Sequence, residues 1–154
     1  MGWVVQAFST FMHMQRENDN LQILAGLILP PNTLDYFEFV KAEESPLPPG
    51  KWHSVRLDIY LDERDNRTGD TMALSPNGFT ESVEVEDFPV RDRELHVHYR
   101  RRRYLDRDGK NVLLYPRSLT AEGTRYSEEF GVFFKDTDGY GAYYGPFFSK
   151  MLRG

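Results

Sequence analysis

Cysteine is absent from the 154 residues. That excludes disulfide scaffolds, thiolate zinc sites and cysteine nucleophiles, but it does not decide the compartment. Long apolar runs are missing too. The longest, Ile23 to Pro31, is too short to cross a bilayer. The stretch "MGWVVQAFSTFMHMQRENDN" has no basic n-region and no small-residue cleavage site. Gln6 stands where a myristoylation motif needs Ser or Thr. A soluble, cytoplasmic protein without a membrane is therefore expected. The nucleophile and phosphate motifs are also lacking: there is no Gly-x-Ser-x-Gly, no phosphate-cradling glycine loop and no His-Glu-x-x-His. No catalytic residue is assigned and no cofactor is implied.

The residues present are those of one globular domain over 1–154, with 40% hydrophobic and 28% charged residues. Eleven Phe and nine Tyr suit strands better than helices. In "KWHSVRLDIYL", Val55, Leu57, Ile59 and Leu61 alternate with Ser54, Arg56, Asp58 and Tyr60, the period of a half-buried strand. "ESVEVEDF" repeats the pattern through Val83 and Val85. The run Leu21 to Leu29, apolar but for Gln22, reads as a central strand covered on both faces. "LDYFEFVKA" and "EEFGVFFKD" read as further strands. The stretch before residue 20 is divided between a short helix and a strand. Turns are expected at 44–50, 62–70, 75–78, 106–109 and 136–141, the last three carrying Asn-Gly or Asp-Gly. The expected fold is mainly β, a single antiparallel β-sandwich or small β-barrel, with at most one short N-terminal helix.

"GKWHSVRL" (50–57) resembles a strand of laminin-G and related lectin-like sandwiches, in which a Trp-His pair precedes a Val-x-Leu alternation. The resemblance covers those residues alone and implies a sandwich.

Charge is segregated. Residues 91–110 hold eight Lys/Arg against four acids, a local +4, which leaves −9 for the rest of a chain whose net charge is −5. This basic region lies inside "ELHVHYRRRRYLDRDGKNVLLYP" (94–116), expected to be one long hairpin turning at Asp108-Gly109. Strand alternation puts His96, His98, Arg100, Arg102 and Tyr104 on one face. Arginine forks match carboxylates and phosphates, and Tyr offers a stacking surface.

A His-x-His pair on a strand can also offer two nitrogens to one metal ion, and His53 is the natural third candidate, with His13 weaker. The pair resembles the opening of the first cupin motif. Arg100 to Arg103 stand where that motif places a Glu ligand, so the family is not assigned and no metal site is. The Asp-x-Asp-Gly pieces at 106–109 and 136–139 fail the calcium-loop pattern, because position twelve is Arg117 in one and Phe147 in the other. The alternating glycines and aromatics of 138–148 suit either core closure or contacts.

The leading functional expectation is a non-enzymatic interaction protein. It would contact an acidic protein partner, or its own subunit as a homo-oligomer, through His96, His98, Arg100, Arg102, Tyr104 and Arg107. The first alternative is a small β-barrel enzyme or metal-binding protein using His53, His96 and His98. The second is nucleic-acid binding through the arginine-rich hairpin, disfavoured by the acidic remainder of the chain. The simplest reading of the arginines is structural: they pair with neighbouring acidic strands such as Glu81 to Asp87.

Overall fold

The structure, a computed structural model, describes residues 2–114 and 126–132. A long helix α1 (Gly2–Ile28) leads through a single turn α2 (Thr33–Tyr36) into β1 (Phe37–Pro46). Strands β2 (Val55–Glu63), β3 (Ser75–Phe79), β4 (Val83–Asp87), β5 (Arg93–Arg100), β6 (Arg102–Leu105) and β7 (Asn111–Leu113) follow, with a 3₁₀ turn at Gly69–Ala73. The strands form two sheets, ordered β1-β2-β5-β4 and β3-β6-β7, and no closed barrel appears among the described residues. The chain is mainly β, as expected, and its N-terminal helix is 27 residues long where at most a short one was expected.

The larger sheet carries the core on one face. Ile59 and Leu61 of β2, Leu95, Val97 and Tyr99 of β5, and Val85 of β4 are buried there with Phe37, Ala25 and Leu29. Phe37 meets Tyr99 edge-on at 5.0 Å. These are the inward positions of the period-two pattern, so the opposite face of the sheet holds the alternating polar residues.

Four details depart from expectation. First, β2 and β5 run parallel, with Ile59 opposite Val97, so the larger sheet is mixed rather than antiparallel. The two strands are far apart in sequence, and side-chain alternation is the same in either direction. Second, Leu21 to Ile28 is the end of α1 rather than a central strand. A mostly apolar run does not distinguish the two periods. Here the 27-residue helix continues through it, and only Ala25 and Leu29 are buried. Third, the turn expected at 75–78 is an irregular strand, whose register shifts between Pro76 and Phe79 where Gly78 takes φ 69°. Fourth, residues 128–132 are helical, not extended. The remainder of "EEFGVFFKD", the turn at 136–141 and the aromatic segment 138–148 lie outside the described residues.

The 94–116 hairpin is also revised. The strand breaks at Arg101, where the chain leaves one sheet and enters the other. What remains of the hairpin is β6 and β7, with Leu105 opposite Asn111. Its turn is where the Asp-Gly pair placed it. Gly109 has φ 74°, and Asp106 Oδ1 accepts the N–H groups of Asp108 and Lys110, each at 2.9 Å. Residues 115–116 lie outside the described residues.

Candidate functional site

The polar face of the larger sheet gathers most of the residues singled out from the sequence. Parallel pairing brings Asp58 level with His96, Tyr60 with His98 and Asp62 with Arg100. Antiparallel pairing adds Glu84 opposite His98 on one side and Lys41 opposite Tyr60 on the other.

Each histidine then bonds the carboxylate diagonal to it. His98 Nε2 lies 2.6 Å from Asp58 Oδ1, and His96 Nδ1 lies 2.8 Å from Glu84 Oε1. Arg56 ties the two carboxylates together. Its Nη2 lies 2.7 Å from Asp58 Oδ1 and 3.1 Å from Glu84 Oε1. Burial works to raise the Asp58 carboxyl, but hydrogen bonds from Arg56 and His98 outweigh it and hold the group below its ordinary value. Glu84 is lowered in the same way: burial opposes, and the Arg56 charge and the His96 hydrogen bond prevail.

Above this network sits a column of stacked groups. Tyr60 lies parallel to His98 with centroids 4.5 Å apart, and Lys41 Nζ stands 4.5 Å over the Tyr60 ring. Beside the column opens a cavity of about 360 Å³, lined by Lys41, Tyr60, Asp62, Ser82, His98 and Arg100, with Val40 and Leu61 as its apolar part. Arg100 donates Nε to Asp62 at 2.7 Å and Nη2 to the same carboxylate at 2.5 Å, and its side chain remains half exposed. The Arg100 and Arg102 guanidinium groups each stand 4.8 Å from the Phe79 ring.

The expected common face of His96, His98, Arg100, Arg102 and Tyr104 therefore divides. His96, His98 and Arg100 share the sheet surface. Arg102 belongs to β6, where its Nε donates to the Glu63 carbonyl at 3.1 Å. Tyr104 is buried in the smaller sheet with its hydroxyl 3.0 Å from Asp65. Arg107 is exposed beside the β6–β7 turn. The acidic partners of Arg100 and Arg101 are Asp62 and Glu63 on β2, whereas the sequence pointed to β4.

The three histidines do not converge. Both ring nitrogens of His96 face carboxylates, Glu84 at 2.8 Å and Glu94 at 3.5 Å. His53 is buried near Asp92, outside the network, with Nε2 lacking a hydrogen-bond partner among the described residues. His13 lies on α1 beside Glu17. No group of three His, Asp or Glu placed to hold a metal ion occurs among the described residues.

Arg56, Asp58 and Tyr60 were legible as one strand face, but Lys41, Ser82 and Glu84 became neighbours of the histidines only through strand order. Comparison of the chain with protein-family models, with curated proteins and with solved structures finds no match. No described helix is long and apolar enough to cross a membrane.

Proposed function

We propose that the protein is a non-enzymatic binding protein whose sheet face receives an acidic side chain of a protein partner in the cavity between Lys41, Tyr60, His98 and Arg100. The supporting observation is the placement of Lys41, Arg100 and Tyr60 around an open cavity, with Lys41 Nζ held by Glu43 at 2.6 Å and Arg100 held by Asp62. Arg100 gives Nε and Nη2 to Asp62, which leaves Nη1 directed to no acceptor among the described residues. A guanidinium held by one carboxylate is pre-organised to take a second, because less side-chain freedom is lost on binding.

A catalytic reading has less support. His98 and Asp58 form a hydrogen-bonded pair, but a nucleophile must lie within hydrogen-bond reach of its base. Ser82 lines the same cavity and makes no hydrogen bond to His98 among the described residues.

Fluorescence anisotropy with a labelled glutamate-rich peptide, a neutral peptide of equal length and a labelled oligonucleotide tests the proposal. The acidic peptide alone should bind. Arg100→Glu or Lys41→Glu should weaken it by about tenfold or more, which corresponds to about 1.4 kcal/mol. Affinity unchanged in both variants, or tight binding of the oligonucleotide, would rule the proposal out.

A further inference from the structure

Helix α1 is not a finished surface. At 1.5 Å per residue its 27 residues extend about 40 Å, and only its last turns rest on the domain. Gln22, Ala25 and Leu29, three and four residues apart, form the stripe that meets the sheet. Ala25 and Leu29 are buried, and the Gln22 side chain bonds the backbone of Phe39. A second, exposed stripe, turned away from the docked one, runs through Val5, Met12, Arg16, Asp19, Ile23 and Leu27 at spacings of three, four and seven. All are exposed, Val5 at 71%, Ile23 at 64% and Leu27 at 79%. An apolar surface of this length on a helix that packs along only one edge needs a cover.

The order of residues along the stripe identifies the cover. Its ends are apolar and its middle is an Arg16/Asp19 pair of opposite sign. Arg16 has no ion-pair partner among the described residues, and Asp19 accepts only the neutral Gln15 side chain at 3.2 Å. Met12 precedes Arg16 by four residues, and Ile23 follows Asp19 by four. In an antiparallel pair related by a two-fold axis, Arg16 lies level with the partner's Asp19. Met12 then lies level with the partner's Ile23. The stripe is complementary to itself in that direction, which is what an isologous contact requires. In a parallel pair, Arg16 would meet Arg16 and Asp19 would meet Asp19. On a lipid surface the apolar ends of the stripe would carry Arg16 and Asp19, which lie between them, toward the acyl boundary.

We propose that α1 pairs antiparallel with α1 of a second copy, with Arg16 of each chain bridging Asp19 of the other. The first half of each helix then covers the outer face of Ile23 and Leu27 in its mate.

Charge reversal tests this with the full chain. Multi-angle light scattering of the wild type should give a dimer. Arg16→Asp and Asp19→Arg should each weaken dimerisation by about tenfold or more, and circular dichroism should stay unchanged because both positions are exposed. An equimolar mixture of the two single variants should dimerise. One chain then carries an acid at both positions and the other an arginine at both, so each central contact between unlike copies joins opposite charges. The chain with both substitutions should recover self-association. Because the chain has no cysteine, orientation is open to cross-linking. Met12→Cys mixed with Ile23→Cys should give the 12–23 disulfide in preference to 12–12. A monomeric wild type, a monomer that sediments with phosphatidylcholine vesicles, single variants that dimerise normally, failure of the mixture to associate, or dominant 12–12 cross-links would each overturn the proposal.

Discussion

Arg101 and Glu63 form a buried ion pair at the point where the chain passes between sheets. Arg101 Nε lies 2.8 Å from Glu63 Oε2, with side-chain exposures of 9% and 5%. The same carboxylate accepts the Arg102 N–H at 2.9 Å, and Arg101 Nη2 donates to the Leu114 carbonyl at 2.6 Å. One carboxylate at the end of β2 therefore anchors both residues of the crossing. This is why the strand breaks at Arg101 instead of running on as a ribbon.

Removing one member leaves the other charged and buried. Arg101→Ala should cost about 3–5 kcal/mol of folding stability in urea denaturation. Arg101→Met combined with Glu63→Leu should cost less than Arg101→Ala alone, because no unpaired charge remains. A loss below about 1 kcal/mol for Arg101→Ala would show that the pair does not hold the crossing.

Arg100, the adjacent residue, should behave differently. Its side chain is half exposed and its partner Asp62 sits at the rim of the cavity. Arg100→Ala should change stability by no more than about 1 kcal/mol. A collapse comparable with that of Arg101→Ala would make Arg100 a structural residue instead of a contact residue.

Asp87 should make the fold less stable as pH rises. It lies buried at the end of β4, accepting Ser127 Oγ at 2.7 Å and the Phe88 N–H at 2.8 Å. Burial raises its carboxyl above the ordinary value of 3.8, against those two hydrogen bonds. The unfolded chain therefore releases this proton first, and stability falls as pH rises from about 4 through the folded-state value. Asp87→Asn should raise the melting temperature at pH 7, with the difference from wild type vanishing below about pH 4. A lower melting temperature at pH 7 would contradict the assignment.

Asp58 should do the opposite. Its folded-state value is lowered, so its contribution is present above the ordinary value of 3.8 and disappears as pH falls through the folded value. Asp58→Asn should lower the melting temperature at pH 7 and converge with wild type in acid. Divergence that persists to about pH 2 would assign the loss to packing.

Zinc should not stabilise the protein. His96 and His98 are each committed to a carboxylate, and His53 lies apart from them. A stoichiometric upward shift of the melting temperature on adding zinc would revive a metal site.

Local pattern determined a good deal. Alternation in Lys51 to Leu61 placed Ile59 and Leu61 in the core and Arg56, Asp58 and Tyr60 outside it, because a pleat admits only two faces. Asp108-Gly109 placed a turn, because few residues accept a positive φ. The same pattern read Leu21 to Leu29 as a central strand where the chain forms the end of α1, since a mostly apolar run carries no period. Only the tertiary structure decided that β5 lies parallel to β2, which set His98 beside Asp58 and Tyr60. It also decided that consecutive arginines differ in role: Arg100 at a cavity, Arg101 in the interior and Arg102 in the second sheet. Sequence order assigned all three to one strand. Their environments depend on Asp62 and Glu63, thirty-eight or more residues earlier in the chain. Strand pairing, which no local periodicity encodes, brings those partners to them.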